Sequence, residues 1–83
     1  MGYARPQPRH LASKLRTIRM KLGKSQQEMA EIVGQKLSPV YPGHISEFEA
    51  GRREPSLLVL LKYSRAAGVT VEALIDDKLE VPD

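Results

Sequence analysis

The sequence predicts an all-α protein, a compact bundle of five short helices. Three observations predict it. Apolar residues recur at helical spacing in successive segments, those segments are bounded by capping residues or glycines, and no stretch alternates apolar and polar residues as a strand would. Eighty-three residues, 41% hydrophobic and 28% charged, suit one small domain with a single core. The chain divides into a flexible N-terminal arm over 1–8, a folded domain over 9–77 and a C-terminal tail over 78–83.

Each element has its own signal. Pro6, Pro8 and a lone Tyr3 give the arm no periodicity. From about Arg9, the positions Leu11, Leu15, Ile18 and Leu22 define the inward stripe of a first helix, and Gly23 supplies a left-handed stop. Ser25 with Glu28 is a capping box opening a second helix, with Met29, Ile32 and Val33 inward and Gly34 at its end. A third helix carries Ile45 and Phe48 and stops at Gly51. A fourth starts at Ser56 with Leu57, Leu60, Leu61 and Ser64 on one face, and ends at Gly68. Thr70 caps a fifth, with Val69 and Leu74 placed to form a hydrophobic staple.

Composition narrows the function. There is no Cys, hence no disulfide and no thiolate metal site, which fits a reducing cytoplasm. The N-terminal "MGYARPQPRH" lacks the apolar stretch of a signal peptide. The longest apolar run, "LLVLL" at 57–61, falls far short of the ~18 residues a membrane span needs. His10 and His44 stand alone without metal-ligand spacing, and the adjacent Asp76 and Asp77 splay apart on a helix. With no nucleophile–base pairing and no phosphate-cradling glycine loop, neither an enzyme nor a cofactor is expected. A net charge of +3 leans towards a polyanionic partner.

Two helices joined through a glycine, the second led by small or polar residues, form the general helix-turn-helix arrangement. The phrases "LRTIRMKLGKSQQEMAEIVG" (15–34) and "ISEFEAGRREPSLLVLLKYSRAAGVTVEAL" (45–74) make it specific. In that order they resemble the Xre/Cro-like helix-turn-helix family of phage and bacterial repressors, over about residues 11–76. The family pattern runs L-R-x-x-R, then G-x-S-Q-x-E-L-A-x-x-x-G, then I-S-x-x-E-x-G-R-R-x-P-S-L-x-x-L, then A-x-x-L-G-V-S-x-x-x-L. Met29 stands for its Leu, Ala67 precedes Gly68, and Thr70 stands for its Ser. The resemblance implies a lambda-repressor-like DNA-binding domain.

It also implies roles. Gln26, first residue of the second helix, matches a position placed on a DNA phosphate, where free N–H groups and the positive helix end favour an anion. Arg52 and Arg53 match positions beside the phosphate backbone, and Lys24 and Lys36 would widen that basic face. Arg19 and Glu49 match a structural ion pair that locks the third helix to the first. The base-reading positions fall on Pro42, Gly43, His44, Ser46 and Glu47, and the inserted segment, through Gln35, Lys36, Ser38 and Tyr41, could supply contacts instead. His44 and Ser46 could donate to purine edges and Glu47 could accept from cytosine.

One segment departs from the pattern. Gly34 to Ile45 is several residues longer than the family allows. Either Ser38 caps a helix with Pro39 first, or 35–40 is a loop and the helix begins at Pro42 with Tyr41 in the N-cap place. The second placement is favoured, because Gly43 would weaken a longer helix by roughly 0.5–1 kcal/mol. The expected function is a sequence-specific transcriptional regulator on double-stranded DNA, working as a homodimer. Pairing is expected through Val71, Leu74, Ile75 and Leu79, and a further C-terminal domain or protein partner would follow the tail. The alternative is a protein-interaction adaptor of the same fold, antitoxin-like or coactivator-like, with little DNA readout.

Overall fold

Helix boundaries follow the caps closely. The computed structural model describes residues 8–81, so most of the arm (1–7) and the last two residues of the tail lie outside the described residues. The elements are α1 (Leu11–Lys21), α2 (Gln26–Val33), α3 (Pro42–Glu49), α4 (Leu57–Ala67) and α5 (Val71–Ile75). Ser25 Oγ accepts from the Glu28 N–H at 3.0 Å, and Glu28 Oε1 accepts from the Ser25 N–H at 2.9 Å. Those contacts, the backbone one foremost, hold the Glu28 carboxyl below the usual carboxylate range. Ser56 and Thr70 cap α4 and α5 through the N–H groups of Val59 and Ala73. Gly68 ends α4 at φ +69°, a conformation in which a Cβ would be strained.

The core draws on all five helices. Leu11, Leu15 and Ile18 come from α1, and Met29, Ala30 and Val33 from α2. Ile45 and Phe48 of α3, Val59, Leu60 and Tyr63 of α4, and Leu74 of α5 complete it. The expected inner face of α4 is rotated. Its buried stripe is Val59, Leu60, Tyr63 and Ser64, while Leu57 is 79% exposed. Both stripes have helical spacing, and the fully buried Tyr63 ring, among the largest core side chains, goes with the first. Leu74 is fully buried too, so it belongs to the core and is removed from the expected pairing surface, leaving Ile75 and Leu79 exposed there.

Gly34 is required for space. It has an extended backbone (φ −75°, ψ 162°), and a Cβ there would lie 2.8 Å from the Ala30 carbonyl oxygen and 3.0 Å from the Val40 nitrogen. The chain can therefore leave α2 only by passing its own backbone at close quarters.

Two long-range contacts, neither expected from sequence, close the ends of the domain. The N-terminus of α1 has no capping side chain of its own, since His10 makes no such bond. The Asp77 carboxylate sits just outside it, accepting from the N–H groups of Arg9 (3.0 Å) and His10 (3.1 Å). In return, the buried Lys14 ammonium of α1 donates to the carbonyls of Ala73 and Asp76, each at 2.9 Å. A cation on the last carbonyls of α5 meets the negative end of that helix. Beyond Asp77 the chain turns back, and Val81 packs against the core.

The Arg9 and then the His10 N–H bonds hold the Asp77 carboxyl below its ordinary value. A depressed folded-state pKa stabilises above the unfolded value and stops doing so as pH falls through the folded one. Thermal unfolding should therefore separate wild type from Asp77→Ala most clearly above about pH 5. The gap should begin to narrow below about pH 4 and close as pH falls through the lower folded-state value. A gap independent of pH would show that the carboxylate charge contributes nothing.

Candidate nucleic-acid interface

The α2–α3 pair carries the groups that could meet a polyanion. Ile45 and Phe48 turn one side of α3 into the core. That fixes the other side as Pro42, Gly43, His44, Ser46 and Glu47, all exposed or half-buried. The helix starts at Pro42 with Tyr41 before it in extended conformation, the second of the two placements considered. Pro42 needs no N–H partner in the first turn, so it opens the helix without cost to the ladder.

Arg19 fixes the orientation of α3. Its Nε and Nη2 donate to Glu49 Oε2 and Oε1 at 2.7 and 3.0 Å, a two-pronged contact, and its Nη1 donates to the Lys24 carbonyl at 3.0 Å. The side chains are 14% and 6% exposed. The hydrogen bond to Glu49 raises the Arg19 pKa despite the burial. One guanidinium thus ties α1 to both the α1–α2 turn and the end of α3. Beside this pair lies the Tyr63 phenol, fully buried, its hydroxyl without a hydrogen-bond partner. Burial, with the nearby Glu49 charge, pushes its pKa well above the usual phenol value.

The other expected residues divide into groups. Gln26 and Ser46 both line a shallow concavity of about 330 Å³ where α1, α2 and α3 converge. Arg16 and Arg19 border it as well, and Arg16 was not singled out in the sequence. Its sequence signal is the first Arg of the L-R-x-x-R phrase, one turn before Arg19 on α1. Lys24 is half-buried, and Lys36 and Arg52 are exposed. Arg53 and Glu47 are not independent: Arg53 Nε donates to Glu47 Oε1 at 2.8 Å, with the side chains 52% and 42% exposed. His44 Nδ1 accepts from the Tyr41 N–H at 3.2 Å, and the two rings stand 5.6 Å apart. With Nδ1 accepting, a neutral His44 carries its proton on Nε2, which is left as the ring's donor.

Charge is distributed unevenly along the chain. Residues 1–27 contain seven Arg or Lys and no Asp or Glu. Residues 69–83, with five acids against one Lys, bring the opposite sign to the α5 end. Among the described residues no helix is long and apolar enough to cross a membrane.

Two packed helices, α2 and α3, the second locked from behind by Arg19 and bare in front, define a helix-turn-helix protein, here with a lengthened connection over 34–41. The chain belongs to the helix-turn-helix family of the Xre and lambda-repressor type: the model of the helix-turn-helix family matches residues 15–74. Among solved structures it is similar to the clp gene regulator ClgR from Corynebacterium glutamicum. The two share 33% identity at a TM-score of 0.65, over 83% of this chain and 71% of that one. No curated protein matches the sequence.

Removing Glu49 would leave the Arg19 charge half-buried and short of two hydrogen bonds. Glu49→Ala should lower stability by about 3 kcal/mol in denaturant unfolding. An unchanged unfolding midpoint would show that the pair does not hold α3.

Proposed function

We propose that this protein is a sequence-specific, DNA-binding transcriptional regulator without enzymatic activity, acting as a homodimer on double-stranded DNA. The observation that carries the reading is the locked α3, whose free side holds His44 and Ser46 as outward polar groups. In this reading α3 lies in the major groove, where His44 donates from Nε2 to a purine N7 or guanine O6, and Ser46 contacts a neighbouring base. Gln26 and the N–H groups of the α2 N-terminus hold one phosphate. Lys24, Lys36 and Arg52 neutralise others. The name of ClgR describes a gene regulator, which supports the same class here.

Glu47 takes a different part from a cytosine reader. Its carboxylate already has the Arg53 guanidinium as partner. The pair holds Arg53 at the end of α3, ready to exchange the carboxylate for a phosphate when DNA arrives. Both groups are about half exposed, so the exchange involves little burial and the pair itself adds little stability.

Dimerisation follows from scale. One small module contacts few bases, and two copies on a palindrome double the contact. Leu57 and Leu58 on α4 with Ile75 and Leu79 near α5 are among the exposed apolar side chains of the described residues and are the ones such pairing would cover.

Selection of bound sites from a random duplex library, repeated with two variants, tests this. Arg52→Ala should weaken every site alike and lower the salt slope by about one. Glu47→Gln should tighten binding to all duplexes by releasing Arg53 and removing an acid near phosphate. A changed base preference at one position would instead make Glu47 a base reader. Failure to enrich any site would contradict sequence-specific binding.

A further inference from the structure

Between Gly34 and Pro42 the chain forms a small built finger. At its base, Gly34 passes against Ala30 and Val40, where no Cβ would fit. Val40 packs on the core, anchoring the returning strand. Across the finger, Gln35 and Ser38 exchange two backbone hydrogen bonds, each 3.1 Å, which closes a two-residue turn. Lys36 and Leu37 form the tip. Leu37 is 96% exposed, more than any other large hydrophobic residue among those described.

A single exposed leucine means little on most surfaces. Here it stands on an anchored turn in the segment that leads into α3, whose first residues Pro42 and Gly43 offer no polar side chain. Leu37 lies five positions before Pro42, which limits their separation to ~17 Å. That reach is comparable to the major-groove width of roughly 12 Å. The charge pattern selects the occupant. Along the chain no acidic residue lies between Glu31 and Glu47, and Lys36 adjoins the leucine. Glu31 itself lies at the base of the finger, lining a concavity with Gln35 and Lys36, so the tip carries only the basic charge. Such a tip suits a polyanion that also presents apolar groups, and DNA does so through the C5-methyl of thymine.

We propose that the 35–38 turn is a second reading element, with Leu37 packed on a thymine methyl at the edge of the half-site and Lys36 on the adjacent phosphate. The inference rests on the regulator reading given above. It assigns base recognition to a residue outside the recognition helix.

The test uses the full chain and a selected bound site in which each thymine in turn becomes deoxyuridine, deleting only the methyl. For the wild type, one replacement should weaken binding about fourfold, the worth of one buried methyl or methylene group. Leu37→Ser should bind the original site at least about fourfold more weakly and be indifferent to that same replacement. Its thermal unfolding should match the wild type, since the side chain is exposed. Equal affinities for wild type and Leu37→Ser overturn the proposal, as does a loss that leaves the thymine preference intact. If the wild type binds no duplex at all, the regulator reading itself fails and this inference with it.

Discussion

The Arg19–Glu49 contact is the constraint on which the interface depends. α3 spans only Pro42–Glu49 and is too short to hold its own direction, since isolated helices of that length are marginal. Ile45 and Phe48 fix which side faces the core but do not resist a tilt about it. The bidentate pair removes that freedom by clamping the last residue of α3 to α1, and the Arg19–Lys24 contact extends the clamp to the turn before α2. The N-terminus of α2 and the outer side of α3 are thereby held in one frame. Preorganisation of this kind lowers the ordering cost on binding. The unpaired Tyr63 hydroxyl beside the clamp has a cost of its own, because a buried hydroxyl without a partner forfeits its hydration.

A second closure keeps the frame shut at the opposite end. Lys14 on the carbonyls of Ala73 and Asp76, and Asp77 on the N–H groups before α1, make α1 and the α5 end cap one another. These contacts join residues more than 55 positions apart, so they form only when the whole domain is folded. They add cooperativity to a chain whose single core is small.

Local physics explains what the sequence revealed. The Ser25–Glu28 capping box, the Ser56 and Thr70 caps and the Gly68 stop act over three or four residues, and each sits where the sequence places it. Arg19 and Glu49, thirty positions apart, were linked only through the family pattern. The caps made by Asp77 and Lys14 leave no local signature, since partner and target meet only through the tertiary fold. The face of α4 was misread because two stripes satisfy the same helical period, and packing selects between them. Gly34 ends the second helix as the sequence reads it, but its need for room beside the Ala30 carbonyl and Val40 is set in part by the returning chain and has no local signature. In the candidate interface, the residue types were visible while their partners were not: Glu47 with Arg53, and His44 with the Tyr41 N–H.

The regulator reading joins this frame to a directional charge pattern: basic residues throughout the first third of the chain, acids at the α5 end, and an acid-free passage through the finger into α3. Binding of the wild-type chain to a random duplex across a salt series tests that claim most directly. With Lys24, Lys36, Arg52 and, once exchanged from Glu47, Arg53 each neutralising a phosphate, the logarithm of affinity should fall linearly with the logarithm of salt, with a slope of about −3.6 per monomer. No binding at the lowest salt, or an affinity independent of salt, would contradict it.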